Sequence, residues 1–190
     1  MLQGLACTLA VLLAAPTPAP VGTAVRLGVA EMLERSDLCL EGRVTAARAI
    51  LEPGKRIDTE YTISVDRTFW GEAQASRAIR IPGGVLPDGR GMTIPGLSGL
   101  SNGEDVILFL SKADALGMRM PIGLAQGKMR VSTDRFGKKR ILRDQGGLEL
   151  AGASGSARPA DEAAVLEYAA VVAEIDAAVT ARRAKKDGRR

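Results

Sequence analysis

Few residues of this chain could do chemistry, and none of them groups into a familiar catalytic pattern. The candidates are one thiol (Cys39), a scatter of carboxylates (Asp58, Glu60, Asp66, Glu104 and Asp105), two glycine-rich runs and a basic C-terminus. Paired carboxylates could support acid–base hydrolysis. In the stretch from Asp58 to Asp66, however, Glu60, Thr62, Ser64 and Asp66 alternate on one strand face, which a solvated face explains without chemistry. Nothing nearby lowers the pKa of Cys39, so core packing suits it better than nucleophilic attack. Gly83-Gly84 and Gly123 to Lys128 could offer backbone N–H groups to an anion. Neither has the spacing of a P-loop or a dinucleotide fingerprint, and turn geometry accounts for both.

An absence narrows the chemistry further. The 190 residues contain no histidine, which removes Ser-His-Asp and Cys-His centres and every His-ligated metal site. The cysteines are Cys7 and Cys39, too few for a cysteine-rich zinc site. No cofactor is expected. Six aromatic side chains in the whole chain leave little for base stacking, so specific nucleic-acid binding is not expected either.

The charge is unevenly placed. Residues 182–190 hold six Lys or Arg and one Asp, a local +5, against +4 for the chain; the remainder is therefore −1. Arg182, Arg183, Lys185 and Lys186 form a candidate surface for an anionic partner. A solvated helix end complementing the helix dipole explains them equally well.

Leu5 to Ala15 is an uncharged apolar run, shorter than the roughly 20 residues needed to cross a bilayer. With the Pro/Ala stretch behind it and Gly22-Thr23-Ala24, it reads as a signal peptide over 1–24 with cleavage after Ala24. The chain is then exported, periplasmic or extracellular, without a transmembrane span.

The elements that must position any site follow from periodicity. Residues 27–36 predict a short amphipathic helix and 38–50 a first strand. In 58–69, Thr59, Tyr61, Ile63 and Val65 share one face, which marks a half-buried antiparallel strand. A short strand at 78–82 follows, and the apolar run 104–110 predicts a central strand covered on both faces. Residues 121–132 and 139–143 read as the last strands, with Gly123 and Gly127 marking bulges or close backbone approach.

Between them, 82–103 packs seven Gly and three Pro into 22 positions yet keeps Val85, Leu86, Met92, Ile94, Leu97 and Leu100. A disordered linker would be more polar. The expectation is an ordered loop laid over one end of a barrel, with Gly83, Gly84, Met92, Ile94 and Leu97 as a candidate interaction surface. Residues 146–160 read as a linker, 161–183 as a C-terminal helix and 184–190 as a basic tail. Along that helix Val165, Tyr168, Val172, Ile175 and Val179 form an apolar stripe that docks on the barrel domain of 25–145.

The succession SDLCLEGRV, TEYTISVDRTFWGE, IRIPGG, GMTIPGL, NGEDVILFLS and PIGLAQGKMRV, over about residues 29–133, resembles a group of exported bacterial β-barrel proteins. Their strands recur in this order as YTxxV, GG, GMxIxG, GExVxLFL and GLxQGKxRV. The resemblance implies a fold and supplies no catalytic residue. The outline is also similar to the OB-type barrel of netrin-like domains, whose inhibitors depend on an N-terminal cysteine and disulfides that this chain lacks.

The expected protein is therefore mainly β (α+β overall), a small antiparallel OB-like barrel with a short N-terminal helix and a C-terminal helix. Its expected function is non-enzymatic binding of an envelope protein or polymer. Two alternatives are a histidine-free hydrolase using carboxylates, and an oligomerising structural protein whose basic tail meets anionic partners.

Overall fold

The computed structural model describes residues 23–143, 149–151, 157–158 and 164–188. The expected signal lies outside these except for residues 23 and 24. In chain order the elements are β1 (Thr23–Val25), α1 (Val29–Arg35), β2 (Leu38–Leu51), β3 (Ile57–Trp70), β4 (Ser76–Pro82), β5 (Gly84–Val85), β6 (Gly91–Met92), β7 (Asp105–Leu110), β8 (Lys128–Thr133), β9 (Lys139–Arg143), β10 (Glu149–Ala151), β11 (Ala157–Arg158), β12 (Ala164–Glu167) and α2 (Tyr168–Asp187). A seven-stranded antiparallel sheet in the order β12-β9-β8-β7-β2-β3-β4 carries the structure. The chain is mainly β, with two helices.

The sheet has two apolar faces, and strand alternation sorts the residues between them. On one face Cys39, Phe69, Ile107, Phe109, Met129 and Ile141 pack beneath α1 and α2. On the other, Leu38, Leu40, Val44, Tyr61, Ile63, Ile79, Val106, Leu108 and Leu110 form a second core topped by Leu97 and Leu100. The Tyr61-Ile63-Val65 ridge thus faces inward as its period-two pattern requires, with Tyr61 and Ile63 buried. β7 contributes alternately to both cores, the reason its sequence is a continuous apolar run. No helix among the described residues is long and apolar enough to cross a membrane.

β2 and β3 pair along their whole lengths, with register irregularities at Cys39/Leu40, Glu41/Gly42 and Val44/Ala46. Such bulges increase local twist. Residues 118–121 then span the gap at one end. Met118 bridges Arg80 of β4, and Pro121 bridges Leu110 of β7. The Arg119 amide donates to the Arg80 carbonyl at 2.9 Å, and the Ser111 amide to the Met120 carbonyl at 2.8 Å.

Several expectations need correction. Residues 121–132 are not one strand. A 3-10 turn occupies Leu124–Gly127 and the strand starts at Lys128. There the Gln126 side chain accepts from the Leu27 amide and donates to the Val25 carbonyl, tying the turn to the N-terminal segment. Gly127 passes so close to Ile122 that a Cβ would lie 2.5 Å from its backbone nitrogen, so the close approach read from sequence is real.

Residues 164–167, expected inside a helix beginning at Asp161, form strand β12 instead, and α2 starts at Tyr168. Pairing with β9, Val165 opposite Leu142 and Leu166 opposite Ile141, overrides the helix propensity of this Ala-rich stretch. α2 continues to Asp187, through residues expected to be tail. Its buried stripe is Val171, Ile175 and Val179; Val165 is exposed on β12. Within the expected linker, β10 pairs with β1 in parallel and with β11 antiparallel.

Asp58 also departs from expectation. It is fully buried rather than solvated, held by a bidentate pair from Arg56 at 2.9 and 2.8 Å.

Candidate functional site

The five loop residues singled out by composition, Gly83, Gly84, Met92, Ile94 and Leu97, line one cleft of about 180 Å³. Tyr61, Ile81 and Pro82 form its floor from β3 and β4, and Val85 stands on the lip at 68% exposure. No charged side chain lines it.

The loop is built by backbone geometry. Gly83 and Gly84 take φ of 101° and 137°, which L side chains rarely adopt. A Cβ on Gly84 would sit 2.1 Å from Thr59 Oγ1. That hydroxyl donates to the Gly83 carbonyl at 2.7 Å, and the Gly83 amide donates to Ile57. β5 and β6 then pair as a short hairpin whose turn is fixed by Asp88 accepting from Arg90. Beyond it, the Ala125 amide donates to the Gly96 carbonyl, and the Leu100 amide donates to the Tyr61 hydroxyl at 3.3 Å.

A buried ion pair anchors the far end. Lys128 reaches the Gly99 carbonyl at 2.7 Å and the Glu104 carboxylate at 3.0 Å, with Lys128 only 9% and Glu104 5% exposed. Glu104 also accepts from the Ser101 amide. Neither the Lys128 partnership nor the loop's tethers could be read from sequence, because the partners lie 24 to 39 residues apart.

The carboxylates do not converge. Asp105 is held by Arg43 at 2.6 and 2.7 Å, which keeps its carboxyl below the usual carboxylate range. Glu60 lies near Arg48 and Arg80, and Glu104 faces Lys128 and Arg130. Burial pushes the Cys39 thiol well up, as suits a core residue. Among the described residues no group of acids and cysteines is arranged to hold a metal ion.

A buried acid that sequence reading passed over is Glu41, on the helix-covered side of β2. The Tyr168 hydroxyl donates to its carboxylate at 2.7 Å, and Lys139 approaches at 3.4 Å. Burial first, and then the bond to Glu41, push the Tyr168 phenol up to about 12.

The basic residues of α2 divide into two kinds. Arg182 lies over the Trp70 ring at 4.1 Å and donates to the Leu33 and Ser36 carbonyls, so it caps the end of α1. Lys185 pairs with Glu34 at 3.1 Å. Arg183 and Lys186 are exposed. With Trp70, all four border a groove of two adjoining hollows of about 350 and 630 Å³.

Comparison with family models, curated proteins and solved structures finds no match to this chain.

Proposed function

We propose that this chain is a non-enzymatic binding module of the cell envelope, taking an apolar segment of a partner protein in the cleft beneath the β5–β6 hairpin. The observation that carries the reading is the convergence of all five loop residues on one uncharged, tethered cleft. At about 180 Å³ the cleft is smaller than the roughly 300–1,000 Å³ of small-molecule sites. One or two apolar side chains of a partner would fill it. Separately paired carboxylates and a deeply buried thiol argue against hydrolysis as the alternative.

Export to the periplasm or cell exterior is part of the proposal, supported by the apolar run of residues 5–15. So is kinship with the exported β-barrel group, supported by the order of the shared strand motifs. The finer fold reading is an OB-like barrel, supported by the apolar core that β2, β3, β4 and β7 share and by the bridging segment 118–121. The glycine-rich loop then plugs one end of that barrel.

Affinity capture from an envelope fraction tests the function, using the full chain, an Ile94→Lys variant and a variant with the loop shortened across 86–90. Circular dichroism checks that each variant is folded. The expected result is one or more partners retained by the parent chain and lost by both variants. Identical retained sets for all three would end the idea.

A further inference from the structure

We propose that the groove between the end of α1, the β3–β4 turn and the last turns of α2 binds a linear phosphate polymer. This site lies apart from the loop cleft, shares no residue with it, and stands or falls independently.

Two of the groove's four cations already have partners within the chain. Arg182 is committed to Trp70 and the α1 carbonyls, and Lys185 to Glu34. Asp37, also on the groove wall, is taken by Arg119 at 2.9 Å. Arg183 and Lys186, one turn apart on the same helix face, have no acidic partner among the described residues, and the neighbouring Asp187 pairs with neither. Both line the larger hollow, so their charge is directed into a concave surface.

Two exposed cations hold a single phosphate weakly, because water and salt screen each pair. A polymer presents many phosphates at once, gains from release of its counterions and keeps a neighbouring charge at high effective concentration. Arg supplies a planar fork and Lys a point charge, both suited to phosphate oxygens. The groove's shape favours a strand over a lipid surface. It is concave, and none of the exposed large apolar side chains (Val25, Leu51, Val85, Leu116, Phe136 and Val165) lines it to enter a bilayer. The Arg182–Trp70 stack already forms part of the groove's wall.

Trp70 is the only tryptophan in the chain, so its fluorescence reports on this groove alone. The full chain would be titrated with short-chain linear inorganic polyphosphate while Trp70 emission is followed. Three arms accompany it: the groove variant R183Q/K186Q, an equal charge loss at the β8–β9 turn in R135Q/K138Q, and phosphatidylglycerol vesicles at matched phosphate concentration. The expected result is a saturable emission change whose midpoint weakens about tenfold in the groove variant and less than about twofold in the turn variant, with a shallower salt dependence only in the former. Vesicles would bind more weakly than polymer. An absent emission change, equal weakening in both variants, or vesicles binding as tightly as polyphosphate would each overturn the proposal.

Discussion

The two faces of the sheet each bury an apolar core, by different means. On the helix-covered face, side chains do the work: Phe109, Met129 and Ile141 meet Met32, Leu33, Ile175 and Val179 from α1 and α2. On the opposite face the covering piece is a loop with almost no regular structure. Its apolar residues are held down by glycine conformations, backbone hydrogen bonds and one buried ion pair. A helix lid repeats the packing logic of any core and leaves its surface free for other duties. A loop lid cannot be changed without changing the cleft it shapes.

That contrast can be broken at its strongest point first. Phe109→Ala, on the helix face, should cost about 4 kcal/mol, the removal of a fully buried ring plus the cavity left behind. Denaturant unfolding measures it. A loss below about 1 kcal/mol would mean that the helices collapse onto the gap and that this face is not a fixed core.

On the loop face the corresponding change adds an atom. Gly84→Ala places a Cβ against Thr59 at a φ that alanine avoids, and should cost about 2 kcal/mol through strain and a displaced Thr59–Gly83 hydrogen bond. The same substitution at Gly28, where a Cβ would meet nothing within 4 Å, should be close to neutral. Equal unfolding midpoints for the two variants would show that the loop is not set by its backbone.

The smallest effect concerns pH. Because the folded chain raises the Tyr168 phenol from 10.0 to about 12, folding favours its protonated form. The stability this contributes is fully present below pH 10 and is lost as pH rises toward 12. Thermal melts of the parent chain should fall through that window, and those of Tyr168→Phe should fall less steeply. Phenolate absorbance in a Tyr61→Phe background would locate the titration directly, since Tyr61 is the only other tyrosine. A midpoint near 10 would sever the link to Glu41.

How much of this was legible in the sequence depends on the range of the interaction. β3 and β7 were visible because alternation and a continuous apolar run are local consequences of one-sided and two-sided burial. The loop was legible too, from its mixture of glycine with spaced apolar residues. The 3-10 turn was hidden, since its cause is Gln126 bonding across about a hundred residues to Val25 and Leu27. β12 was hidden because an Ala-rich stretch has helix propensity and only pairing with β9 reverses it. Likewise Glu41 and Asp58 look like ordinary surface acids, and Arg182 like a member of a basic tail. Their partners are Tyr168, Arg56 and Trp70, two of them more than a hundred residues away.

The seam at Met118–Pro121 gives the sheet two unlike borders. At the β4 border, Arg119 already occupies the Arg80 carbonyl, and Arg77, Arg80 and Pro82 discourage any incoming strand. β12, at the far border, pairs only with β9 among the described residues and presents Val165 outward, with Glu167 as its one charge. Under crowding or partial unfolding, stray sheet extension between molecules would begin at β12, and resistance to aggregation rests on the few residues that guard it.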